Sequence, residues 1–246
     1  MTDFATLWDF DDPAGSEARF RAEADAAEGA ERLVLLTQVA RAVGLQARYA
    51  EAHTLLDGLD ATSSPEIGVR VALERGRLLN SSGDPEAALL QFRSAVDAAD
   101  AAGLAALAID ALHMVAIAAP ADQRLGVNET ALARARAADD PAARNWDASL
   151  LNNIGMCHVD AGDLASALAA FEDALVALER IGDRGRIFVG RWMVAWTLRL
   201  QGRTAEALAA QLALKADLDA LGQTDPYVDE EIALLDPGTF TPPPDR

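Results

Sequence analysis

Apolar residues recur at three- and four-residue steps through most of the chain, broken by short polar stretches, which predicts a succession of amphipathic helices. The pattern is clearest over residues 149–175, where two such helices meet at the Ala161-Gly162-Asp163 turn. Gly155 on the first helix and Ala167 on the second lack bulk, so the two backbones can approach closely, while Leu151, Leu168 and Phe171 fill the space around the contact.

The same register recurs along the chain. Gly76, the Gly83-Asp84-Pro85 turn, Ala88, Phe92 and Ala95 align with Gly155, Gly162, Ala167, Phe171 and Ala174. In an earlier copy Ala40, Ala52 and Leu56 take the places of Gly155, Ala167 and Phe171, and in a later one Ala195, Ala207 and Gln211 do. Units are thus expected at about 33–64, 67–102, 104–140, 142–182 and 186–221, with repeat structure over 31–222 as a whole. The unit at 104–140 is degenerate: helices are expected at Leu104 to Ala118 and about Leu125 to Ala138, with Ala119-Pro120-Ala121-Asp122 in place of the usual turn.

At the ends, residues 1–30 read as a capping segment, in which Asp12-Pro13 starts a helix running to about Ala27 while Trp8, Phe10 and Phe20 cover the first apolar face. Residues 223–236 read as a closing helix that lays Tyr227, Ile232 and Leu235 on the last face. Residues 237–246, with Pro242-Pro243-Pro244, read as a loose tail.

The spacing of small residues, helices and turns resembles the tetratricopeptide repeat, a helix-turn-helix unit of roughly 34 residues. The longer spacing of the later units resembles the extended variant of that family. The resemblance implies an all-α, right-handed superhelical solenoid of antiparallel helix pairs, with the first helix of each pair lining a concave groove. It carries no catalytic residue across, because the family pattern is structural.

Counting from Gly155 and its equivalents selects the groove stripe: Gln38 and Arg41; Glu74, Arg77 and Asn80; Asn152, Asn153 and Met156; Trp192, Trp196 and Arg199. His113 joins them from the degenerate unit. Arg41 and Arg77 take the same place in consecutive units and form a guanidinium pair able to clamp a carboxylate or phosphate, unless Glu74 neutralises one of them. Trp192 and Trp196, one turn apart with Arg199 beyond, offer an aromatic face beside a cation, unless they pack against the helix bearing Tyr227. Peptide-binding members of the family clamp a terminal carboxylate with basic and asparagine side chains; Asn152 or Asn153 matches in type, whereas the lysines have no counterpart.

Composition narrows the partners. The 246 residues carry a formal net charge of −18, which repels nucleic-acid phosphates and anionic lipid. No export signal or span of bilayer length is evident, so a cytoplasmic protein is expected. The one cysteine, Cys157, lies on an apolar helix face and reads as a small packing residue. No phosphate loop, nucleophile elbow or paired-histidine metal motif occurs, so neither a metal nor a cofactor is expected. Asp110 with His113, and the Asp9, Asp11 and Asp12 cluster, are the residues an enzyme would have to use, and they form no recognisable catalytic set. The sequence therefore points to a non-enzymatic scaffold that binds a protein or peptide segment in its groove. A small-ligand sensor is the alternative, and self-association into a homo-oligomer stays open.

Overall fold

The computed structural model describes residues 4–236, so Met1–Asp3 and the tail predicted at 237–246 lie outside the described residues. The described residues form α-helices and one short 3-10 turn, Phe4–Thr6, in two compact units that divide between Arg144 and Asn145.

The first unit holds α1 (Pro13–Ala26), α2 (Gly29–Leu45), α3 (Tyr49–Asp57), α4 (Pro65–Ser81), α5 (Pro85–Ala101), α6 (Ala105–Ala118), α7 (Ala121–Ala137) and the short α8 (Pro141–Arg144). The second holds α9 (Asp147–Asp160), α10 (Leu164–Ile181), α11 (Arg184–Leu200), α12 (Thr204–Ala220) and α13 (Pro226–Leu235). Within each unit consecutive helices pack side by side, the expected repeat architecture.

The repeated Gly-Asp turn has a simple physical basis. Gly162 adopts φ +76°, a conformation costly for any residue with a Cβ, and Asp163 then accepts a hydrogen bond from the Ser166 N–H at 3.1 Å to cap α10. Gly83 and Asp84 do the same before α5, with Ala87 N donating to Asp84 at 3.0 Å. In the first repeat Ala47 occupies this left-handed position, at φ +58°.

Three helix starts differ from the sequence expectation. The second helix of the degenerate repeat begins at Ala121 rather than near Leu125, because Pro120 takes the capping place and Asp122 lies in the positive first turn. α11 begins at Arg184, ahead of the unit expected from about residue 186, because Asp183 accepts from the Arg186 N–H at 3.1 Å. The central pair starts later than expected, at Asp147, with α8 as a separate short turn before it.

Two apolar clusters lie in the core of the first unit. Phe20, Leu35, Val39, Ala40, Ala52, Leu56 and Ile67 form one, against which Trp8 packs. Leu73, Ala88, Phe92, Ala95 and Ala108 belong to the other. Gly76 makes room for Phe92, since a Cβ there would stand 2.4 Å from Phe92 Cε1. In the second unit Leu214, Leu218 and Val228 pack with Phe188, Trp192 and Ile232 at the α11–α13 end. Tyr227, expected on that apolar face, is instead 65% exposed; Val228 and Glu231 are the buried positions of α13. Cys157 is half-buried rather than enclosed.

Candidate functional site

The first helices of the first unit's repeats, α2, α4 and α6, place Arg41, Arg77 and Asp110 in one electrostatic cluster. Arg77 donates through Nη1 to Glu74 Oε1 and through Nη2 to Asp110 Oδ1, both at 2.5 Å. Glu74 is only 2% exposed, so this is an interior ion pair. Burial works against the Arg77 charge, but the Asp110 and Glu74 carboxylates outweigh it and raise its pKa. Arg77 and Glu74 are thus largely spent on each other and on Asp110, the last a partner 33 residues away that helical spacing alone did not reveal.

Arg41 is in a different state. Among the described residues it makes no hydrogen bond or ion pair. Its guanidinium instead lies 5.4 Å from the Trp8 ring centroid and 5.7 Å from that of Phe10. The two rings stack on each other at 4.9 Å with 1° between their planes, and Trp8 also packs at 4.9 Å on Phe20. Trp8 Nε1 donates to Gln38 Oε1 at 3.3 Å, and Gln38 Nε2 to Thr37 Oγ1 at 3.3 Å, so the buried Gln38 serves to hold this wall. Burial lowers the Arg41 pKa, the Arg77 cation lowers it further, and Glu74 and Asp110 oppose both. Trp8 and Phe10 had read only as capping residues; their place beside Arg41 has no signal in local sequence.

Asn80 lies one turn beyond Arg77, half-buried, with no side-chain hydrogen bond among the described residues. His113 on α6 is half-buried, and its pKa is lowered, chiefly by burial, with Asp110 raising it and Arg77 and Arg41 adding to the decrease. A separate cavity of about 550 Å³, lined by Val96, Leu112, Val115 and Val127 with Arg93 and Asp122, lies among α5, α6 and α7.

In the second unit, Asn152 and Asn153 on α9 are half-buried with no side-chain hydrogen bond among the described residues, and Met156 is exposed. Trp192 and Trp196 on α11 stack at 5.8 Å with 12° between planes, and Tyr227 meets Trp192 edge-on at 6.4 Å. Arg199 is held bidentately by Glu231, Nε to Oε2 at 2.6 Å and Nη2 to Oε1 at 2.8 Å, and these hydrogen bonds raise its pKa against the effect of burial. It is therefore committed to α13. Val189, Trp192, Met193, Asp225 and Tyr227 line a pocket of about 280 Å³.

Among the described residues no group of His, Cys, Asp and Glu is arranged to hold a metal ion, and no helix is long and apolar enough to cross a membrane.

The sequence model of the tetratricopeptide repeat family matches residues 146–212, which span α9, α10, α11 and the first half of α12. No curated protein sequence matches the chain. Among solved structures, BtubC from P. vanneervenii is similar with a TM-score of 0.63 at 14% identity, over 100% of this chain and 96% of that one. The apo form of the quorum sensor NprR from B. thuringiensis has a TM-score of 0.63 at 15% identity, over 92% of this chain and 64% of NprR. A Rap protein complexed with competence and sporulation factor has a TM-score of 0.61 at 14% identity, over 92% and 68% of the two chains. These likenesses concern the fold. Residues 146–212 thus carry the tetratricopeptide-repeat pattern, and the described residues have an all-α helical-repeat fold.

Proposed function

We propose that this chain is a non-enzymatic interaction scaffold that takes an extended peptide or protein segment on the stripe of its first helices. The observation that carries the reading is that Asn80, Asn152 and Asn153, carboxamides with both donor and acceptor capacity, have no side-chain hydrogen bond among the described residues. An extended segment presents unpaired backbone N–H and C=O groups, and a carboxamide answers both at once. The likeness to a Rap protein complexed with competence and sporulation factor supports a bound factor on this fold.

Panning a displayed random-peptide library against the full chain tests the reading. Enriched peptides are expected to lose about three- to tenfold in affinity for Asn80→Ala or for the Asn152→Ala, Asn153→Ala double variant, with helicity unchanged. Undiminished binding to both variants rejects the stripe, and a library that enriches nothing rejects the function.

A second reading, a small-ligand sensor, draws on the aromatic pocket of about 280 Å³ at Val189, Trp192, Met193, Asp225 and Tyr227. Thermal shifts with nucleotides and acyl compounds, absent with peptides, would favour it.

A further inference from the structure

Arg41 and Arg77 hold equivalent places on α2 and α4, yet they differ in how their charge is met. Both nearby carboxylates, Glu74 and Asp110, bond to Arg77, while among the described residues Arg41 bonds to neither and lies beside the Trp8 and Phe10 rings. The cluster of these two arginines and two carboxylates is neutral in sum but uneven in its bonding. Aromatic faces return only part of the hydration that a guanidinium loses on burial, and they leave its N–H fork without acceptors. Resting on the reading above, we infer that the segment bound by the first unit carries an acidic side chain, and that Arg41, framed by Trp8 and Phe10, receives its carboxylate.

Charge and shape select that occupant. A carboxylate brings one negative charge and accepts two parallel N–H bonds from the guanidinium fork. A phosphate brings nearly two charges, and the second cation that would balance it, Arg77, is already committed. The total charge of −18 adds to the cost of the larger anion. Arg41 is half-buried beside the Trp8 and Phe10 rings, and a side chain on a flexible stem can bring a carboxylate to it. Contact with the two rings reduces the freedom of the guanidinium, and with it the ordering needed when the carboxylate arrives.

The test uses the peptides enriched by the full chain in the library above, measured against wild type, Arg41→Met and Arg41→Lys. Enriched peptides are expected to share an acidic residue, and changing it to its amide is expected to weaken binding to wild type tenfold or more. Arg41→Met is expected to cause the same loss and to make the acid-to-amide change silent, the coupling expected of a direct pair. Arg41→Lys keeps the charge without the fork and is expected to fall between them. Peptides that bind Arg41→Met undiminished, or that share no acidic residue, overturn the inference while leaving the scaffold reading standing. Loss of binding on amidation of the peptide terminus, with acidic side chains dispensable, overturns it in favour of a terminal carboxylate. If nothing is enriched, both fail.

Discussion

The Phe171 ring occupies the space where a side chain on Gly155 would begin: a Cβ at Gly155 would stand 2.5 Å from Phe171 Cε1 and 2.7 Å from Cδ1 and Cζ. Alanine is favoured over glycine in a helix by about 1 kcal/mol, yet overpacking a buried contact costs about 1–3 kcal/mol. Gly155→Ala is therefore expected to destabilise the second unit by up to about 2 kcal/mol net. Denaturant unfolding should show this loss, and should show most of it restored in the Gly155→Ala, Phe171→Leu double variant.

Gln211 stands on α12 in the register of Phe171, fully buried, with neither Nε2 nor Oε1 hydrogen-bonded among the described residues. A buried amide without partners costs about 1–3 kcal/mol. Gln211→Leu is expected to raise the midpoint of thermal unfolding, and calorimetry of the two proteins side by side is the check.

Glu231 is 5% exposed and its carboxylate is held by Arg199. Removing one partner of such a pair strands the other, so Arg199→Met is expected to cost about 2–4 kcal/mol, loosening α13 first. The Arg199→Met, Glu231→Leu double variant is expected to recover most of that. Urea titrations and hydrogen exchange in α13 distinguish the two.

His113 gives the first unit a dependence on acid. Burial, with the Arg77 and Arg41 cations, holds its folded pKa below the ordinary 6.5 despite Asp110. The unfolded chain therefore binds the proton first, and stability falls as pH drops below about 6.5 toward the folded value, by no more than about 1.4 kcal/mol per pH unit from this group. Above pH 6.5 the group adds no slope, since both states are neutral. His113→Gln is expected to flatten the decline, read from unfolding free energies measured at successive pH values.

Helices with their own local signals were legible and those without them were not. The Gly-Asp turns marked α5 and α10, because glycine at positive φ and aspartate at a cap act over three or four residues. Asp183 as a cap is not legible in the hydrophobic pattern, because the apolar run of α11 begins only at Ile187. The polar stripe could be counted from the register, but the bonds that commit its members reach across 33 residues from Arg77 to Asp110 and 32 from Arg199 to Glu231. Trp8 and Arg41 are likewise distant in the chain and adjacent in space.

Periodicity and small residues alone determined that this chain makes paired α-helices with close contacts at Gly76 and Gly155, because steric room and apolar spacing are local properties. Only the tertiary structure decided which charged groups on those helices are already neutralised. Ion pairing depends on distances between side chains of different helices, which no spacing along one helix encodes, and by that criterion Arg77 and Arg199 are committed while Arg41 makes no ion pair among the described residues and lies beside two aromatic rings.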